Sequence, residues 1–299
     1  MGLAVWPILG MGRPCRGRSE VTVQIVLPIS VTTTTMIEYH IHRFALTRTI
    51  DHDADGILEW KQRTIHMSNA TDWDFDRHLE QRESYTATLT WWDSNEDGYE
   101  EHIFRRVREA SYLDEHAHGW TSQTEETRSM EIWRDLNHNL HAKRVVVIGL
   151  SSWDNNSDGS PDTYDHLSRT WQGSDTNNDD FLNRRVFHRH HMMQTDDNAD
   201  GNVTFSINSN IWHARNLSLS SSGNIEVLQE AYLSHNVLEW NINSLGHAYH
   251  INSTWIGFQI DYVTGTSQGI TVTVITVDSN QDGTPESQTI TTAGSGNPP

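Results

Sequence analysis

The chain has a single cysteine, Cys15, so no disulfide can form within it. Hydrophobic residues make up only 35% of it, against the usual ~45–50%. No run approaches the ~20 consecutive apolar residues that a helical membrane span needs. Basic residues are scarce: 21 Lys and Arg stand against 40 Asp and Glu, a formal net charge of −19. That balance argues against nucleic acid, whose phosphates demand cations, and against an anionic membrane surface. Chains this polar often stay disordered, but 12 Trp, 8 Tyr and 7 Phe recur here in a regular pattern. A folded polar chain without disulfides needs another staple, and bound metal is the usual one. Residues Gly2 to Met11 are apolar, yet Arg13, Arg16 and Arg18 follow the run instead of preceding it, the reverse of a secretory signal. Residues 1–19 are a leader or an unassigned segment.

What the chain does contain is a repeat. Aspartates opening a similar hexapeptide recur at Asp51, Asp72, Asp93, Asp114, Asp135, Asp154, Asp175 and Asp196, in steps of 21, 21, 21, 21, 19, 21 and 21 residues. A further copy opens at Asp278, and the pattern vanishes between about 206 and 277. The best copies are DHDADGILE, DSNEDGYEE, DNNSDGSPD and DSNQDGTPE, from Asp51, Asp93, Asp154 and Asp278; DDNADGNVT, from Asp196, lacks only the last acid. The shared form is D-x-[DN]-x-D-G-x-x-[DE].

Calcium accounts for each fixed position. It is a hard cation taking six to eight oxygens at ~2.3–2.6 Å. Oxygens at positions 1, 3 and 5 converge as the chain curls, glycine at position 6 permits the turn, and an acid at position 9 closes the shell. The expected ligands are Asp51, Asp53, Asp55 and Glu59; Asp93, Asn95, Asp97 and Glu101; Asp154, Asn156, Asp158 and Asp162; Asp196, Asn198 and Asp200; and Asp278, Asn280, Asp282 and Glu286. Two damaged copies add Asp72, Asp74, Asp76 and Glu80, where Arg77 replaces glycine, and Asp175, Asn177 and Asp179, where Asp180 does. Asp135, Asn137 and Asn139 form a weaker copy, and the unit at Asp114, with His116 and His118, is expected to have lost calcium. Five dications would offset about ten charges, roughly half of the −19.

These loops resemble those of EF-hands, dockerins and thrombospondin type 3 repeats. The resemblance covers nine residues in twenty-one and implies calcium binding. It does not imply calcium sensing, because the bidentate Glu of an EF-hand at position 12 is absent: Gln62, Phe104, Asp165, Ile207 and Thr289 stand there.

Between the loops lie 10–13 residues, often alternating. Tyr85, Ala87, Leu89 and Trp91 oppose Ser84, Thr86, Thr88 and Thr90, which is strand periodicity. Other segments, such as the one from Gly98, carry charge on both faces, so cross-strand Arg–Glu and Thr–Thr pairs would have to help hold them. A strand of about 11 residues runs ~36 Å, whereas nine loop residues stretch at most ~30 Å. A parallel solenoid therefore cannot return its chain through the loop. The expected fold is all-β: an antiparallel meander of ~21-residue strand-plus-calcium-loop repeats with a C-terminal β-region. Loops at Asp51, Asp93, Asp135 and Asp175 should share one end of the sheet, and those at Asp72, Asp114, Asp154 and Asp196 the other.

The expected organisation is a 1–19 segment, N-terminal strands over 20–50, calcium-loop repeats over 51–205 and a C-terminal β-region over 206–299. Alternation is strongest at Val21, Val23, Ile25, Leu27, Ile29 and Val31, with Pro28 suited to an edge. That segment resembles the donor strand of donor-strand-exchange pilins; the alternative is the first strand of its own sheet. His116 with His118, His138 with His141, and His188, His190 and His191 invite zinc, but no third ligand is specified and the expectation is surface histidine. Sequons occur at Asn69, Asn155, Asn202, Asn216 and Asn252, candidates for glycosylation of an extracellular protein. No nucleophile elbow, phosphate loop or zinc-protease motif is present, so no catalytic residue is expected. The composition and repeats together imply a non-enzymatic, extracellular structural protein, a fibre subunit joining copies of itself by strand addition. The alternative is a sugar-binding adhesin using Trp91, Trp92, Trp120, Trp133, Trp153 and Trp171; a β-rich hydrolase is a third class.

Overall fold

The structure is a computed structural model and describes residues 18–32, 38–73, 78–114, 122–135, 137, 139–154, 156, 161–196, 203–243 and 248–296. Fourteen strands follow one another: β1 (Arg18–Thr32), β2 (Glu38–Asp51), β3 (Trp60–Asp72), β4 (Gln81–Trp92), β5 (His102–Leu113), β6 (Ser122–Arg134), β7 (Leu140–Trp153), β8 (Thr163–Ser174), β9 (Arg184–Thr195), β10 (Phe205–Leu219), β11 (Ile225–Ile242), β12 (Ala248–Asp261), β13 (Thr266–Val277) and β14 (Ser287–Gly296). They form one antiparallel sheet in chain order, β1 through β14. The all-β meander expected from the spacing is the observed fold. All but β14, which has 10 residues, are longer than the expected 11, up to 18 in β11; at β2 and β3 the first Asp of the loop, Asp51 and Asp72, remains in the strand.

The physical reason for the meander is reach: each loop reverses the chain within nine residues. Consecutive loops accordingly alternate between two rims. The turns at Asp51, Asp93, Asp135 and Asp175 lie on one rim, and those opening at Asp72, Asp114, Asp154, Asp196 and Asp278 on the other. The segment after residue 206 is not a separate layer. β10 pairs with β9 from Phe205↔Thr195 to Asn216↔Arg184, and the sheet continues to β14. The strongly alternating Arg18–Thr32 segment lies in its own sheet, Arg18 opposite Asp51 and Thr32 opposite Glu38, with the register shifting between Val26 and Ile29.

Among the described residues every strand touches only its chain neighbours, so the sheet is a single layer. A compact chain of 34.2 kDa would expose about 13,000 Å²; this one exposes 19612 Å². Among the described residues the buried apolar side chains are Ala110, Leu182, Leu217 and Ala248. The ladder and same-face cross-strand pairs must supply what a core does not. On one face Gln62 and Thr90, Thr64 and Thr88, and His66 and Thr86 pair at 3.3, 3.3 and 2.8 Å. Trp92, His102 and Trp133 stack at 4.5 and 5.3 Å between ring centres, and Arg108 meets Glu125 at 2.8 Å.

His66 also stacks on Phe44 at 5.1 Å and lies 6.1 Å from the His42 ring. Desolvation first, and His42 second, lower its pKa below the usual imidazole value. Above about pH 6.5 both folded and unfolded states are neutral there. As pH falls below that value the unfolded chain takes up a proton that the folded one resists, so stability is lost down to the folded pKa. The loss of thermal stability between pH 7.5 and 5.5 should therefore be smaller in His66→Gln than in the native chain; parallel pH profiles would exclude this role for His66.

Candidate metal centre

Four loops are described throughout: 51–59, 93–101, 175–183 and 278–286. Their backbones share one scheme. The first Asp accepts from the N–H of position 6: Gly56 at 3.1 Å, Gly98 at 2.8 Å, Asp180 at 2.8 Å and Gly283 at 2.8 Å. In three loops its other oxygen accepts from position 4, namely Ala54, Glu96 and Asn178, at 2.6, 2.8 and 2.8 Å. Position 5 accepts from the N–H of position 7, as Asp55 does from Ile57 at 2.7 Å and Asp97 from Tyr99 at 2.9 Å. The side chain at position 9 reaches back to the N–H of position 2: Glu59 to His52, Glu101 to Ser94, Asn183 to Thr176 and Glu286 to Ser279, at 2.6–2.9 Å. Glu80 does the same for Trp73 at 2.7 Å.

Two positions per loop adopt the left-handed region. Position 6 has φ of 98°, 88° and 90° at Gly56, Gly98 and Gly283, and 66° at Asp180. Position 4 has φ of 65°, 62°, 57° and 53° at Ala54, Glu96, Asn178 and Gln281. A non-glycine residue there costs about 1 kcal/mol, offset in three loops by the bond to the first Asp. The sequence pattern marked position 6 but gave no sign of position 4, which four different residues fill. Nor is the loop at Asp175 damaged in shape. Asp180 takes the glycine conformation, and its carboxylate accepts from Leu140 N, at the start of β7, at 2.5 Å.

The scheme turns carboxylates inward. Asp51, Asp53 and Asp55 each bring an oxygen within 4.8 Å of the others, as do Asp93, Asp97 and Glu101. Asn95 stands beside the second group, its Nδ2 donating to Asp97 at 2.9 Å. Glu101 is 8% exposed. Its Oε2 accepts from Ser94, while its buried Oε1 has no hydrogen-bond partner. A buried carboxylate oxygen without a donor costs about 1–3 kcal/mol or more, and a cation among three converging carboxylates removes that cost.

The other expected ligands are placed in part. Asp72, Glu80, Asp154, Asp162, Asp196 and Asp278 are buried at the rims. Asn177 and Asn280 each donate to position 5, Asp179 and Asp282, at 2.9 and 3.2 Å. Asn156 lies in the bend after Asp154. Asp74, Asp76, Asp158, Asn198 and Asp200 lie outside the described residues. At Asp114 a histidine approaches instead: His78 Nε2 lies 3.2 Å from Oδ2 and 3.2 Å from the carbonyl oxygen. Asp135 closes a shorter turn, accepting from Asn137 and Asn139 at 2.9 and 3.0 Å.

Neighbouring loops on a rim are joined, which the sequence did not reveal. Asp93 N donates to Glu59 O at 3.0 Å, Asp114 N to Glu80 O at 2.7 Å and Asp196 N to Asp162 O at 2.7 Å. Position 9 of one loop thus abuts position 1 of the next. The charge of Asp53 across this junction, with desolvation next, raises the Glu96 pKa.

The remaining candidates separate. His188 and His190 share a face, His190 lies 5.8 Å from the His166 ring, and His191 points the other way to Asp165 at 3.0 Å. Among the described residues the groups of three ligating atoms within 4.8 Å are the two carboxylate ones; His116, His118 and His138 lie outside those residues, and His141 stands in β7. Of the sequons, Asn69, Asn216 and Asn252 lie within β3, β10 and β12, the first two exposed; Asn155 and Asn202 are outside the described residues. The ring faces of Trp92 and Trp133 are engaged by His102, and Trp91 carries Lys61 at 5.1 Å. Trp171 leans over Gly173, Trp153 is 38% exposed, and Trp120 lies outside the described residues. No helix of the described residues is long and apolar enough to cross a membrane. The chain matches no family model, curated protein or solved structure.

Proposed function

We propose that this chain is a non-enzymatic, extracellular structural protein whose turns are held by calcium, and that it serves as a subunit of a surface fibre assembling by β-strand addition. The observation that carries the calcium reading is Glu101 Oε1, buried and without a donor beside Asp93 and Asp97. Support for a structural role comes from the single-layer sheet, which among the described residues offers two long outer edges. External, millimolar calcium fills sites of the 10⁻⁴–10⁻³ M class typical of extracellular modules. A carbohydrate-binding role has less behind it, since Trp92 and Trp133 present stacked rings to His102.

Calorimetric titration of the full chain with calcium tests the reading. Several sites should bind, and Glu101→Gln should remove or weaken one of them while leaving the far-UV circular dichroism in EDTA unchanged. An absence of binding heat up to millimolar calcium would sink the calcium assignment.

A further inference from the structure

The two outer strands carry a polarity. Among the described residues no strand lies beyond β1 or beyond β14. Fourteen is even, so β14 of one copy set beside β1 of another runs antiparallel to it, the direction every other pair in the sheet takes. The open stretches match in length. β14 has 10 residues, Ser287–Gly296, with no charge and no proline. β1 pairs without interruption over Arg18–Val26, and its register shift and Pro28 come after that stretch. Sheets usually guard an exposed edge with lysine, proline or a bulge; β14 has none of these, and β1 has them only past Val26.

Charge then separates the two edges. β1 and β2 hold Arg18, Arg43 and Arg48 against Glu20, Glu38 and Asp51, a formal balance of zero. Residues 216–299, which contain β11 to β14, hold seven acids and no lysine or arginine. Bringing two β14 edges together joins like charge, whereas β14 against the neutral β1 end avoids that repulsion, and such a difference selects the partner edge.

We propose that copies of this chain join head to tail, β14 of one lying antiparallel beside Arg18–Val26 of the next, so that one sheet runs on from copy to copy. The contact is heterologous and does not close on itself, so it yields an open filament. It rests on the fibre reading above but not on the calcium reading. Strands lie across the filament axis, and fourteen of them at about 4.8 Å give an axial repeat of about 67 Å.

The test is electron microscopy and fibre diffraction of the full chain in millimolar calcium at low salt, with two edge variants, Ile290→Lys on β14 and Val23→Lys on β1. Ile290 is 61% exposed, and unchanged circular dichroism verifies that both variants fold. The native chain should give filaments with a meridional spacing of about 4.8 Å and a repeat of about 67 Å. Each variant alone should sediment as a monomer, and an equal mixture should stop at dimers, since the intact β1 of one variant pairs with the intact β14 of the other and only the two lysine-bearing edges remain. The proposal falls if the native chain stays monomeric, if Ile290→Lys alone dimerises, or if the meridional spacing is the ~10 Å of stacked sheets. Monomers that bind calcium would remove the head-to-tail contact and leave the calcium reading standing; filaments without calcium binding would do the reverse.

Discussion

Chelating calcium is expected to lower the midpoint of thermal unfolding by about 10 °C, and restoring calcium to reverse the change. The magnitude follows from mass action. A site filled severalfold above its Kd stabilises the folded state by about 1 kcal/mol, and five near-complete loops give about 5. For a chain of this size each kcal/mol moves the midpoint by roughly 2 °C. The direction follows from charge: without a cation, Asp51, Asp53 and Asp55 hold oxygens within 4.8 Å of one another, and like charges that close repel. Magnesium should restore little, because it demands a tighter octahedral shell and sheds its waters reluctantly. Calorimetric scans in calcium, magnesium and EDTA check this, and equal midpoints in all three would reduce the loops to ordinary Asx turns.

The second large effect is expected at Gly173 on β8. A Cβ there would lie 2.9 Å from Leu182 Cδ1, 2.9 Å from the Trp171 ring and 3.2 Å from Leu182 Cβ. Leu182 is 8% exposed and belongs to the loop that starts at Asp175. Its carbonyl accepts from Arg185 Nε at 3.1 Å, and the Arg185 guanidinium lies over Phe181. Gly173→Val therefore overpacks one of the few apolar knots the protein has, at a cost of about 1–3 kcal/mol. Leu182→Ala should cost about 2–4 kcal/mol through the opposite fault, a cavity. Because the two faults share one space, the double variant should be more stable than the sum of the singles predicts, and a double-mutant cycle measures the difference. Strict additivity would mean that the two residues do not press on each other.

The sequence exposed the strand-and-loop rhythm because both parts have periods set by covalent geometry. Alternation at Tyr85, Ala87, Leu89 and Trp91 reports the pleat, and the 21-residue step reports one strand plus one reversal. The two rims also followed, from nothing more than the reach of nine residues. Other features rest on contacts between distant parts of the chain. The bond from Asp93 N to Glu59 O joins residues 34 apart, and neither residue type announces it. The alternation of Arg18–Thr32 identifies a strand but is silent on its partner, so a donor strand and an edge strand look alike until pairing with β2 is seen. Position 6 does not dictate shape by residue type alone: aspartate tolerates the left-handed region better than most residues, and the loop opening at Asp175 keeps its backbone form with Asp180 there. Between Leu219 and Asp278 the described turns change chemistry, to Ser220–Asn224 and to Asp261 with Thr264, so the repeat disappears from that stretch of sequence while the sheet runs on.

Because each described strand meets only the strand before it and the strand after it, the sheet is a one-dimensional chain of hairpins. Among the described strands no contact waits on a distant segment, so the loop-closure entropy that slows most β-proteins is kept small. A hairpin formed anywhere can serve as the template for the next, as in stacked repeat proteins. The corresponding weakness lies at the outer strands: with one neighbour in place of two, β1 and β14 are where the folded array frays, unless a further strand is laid against them.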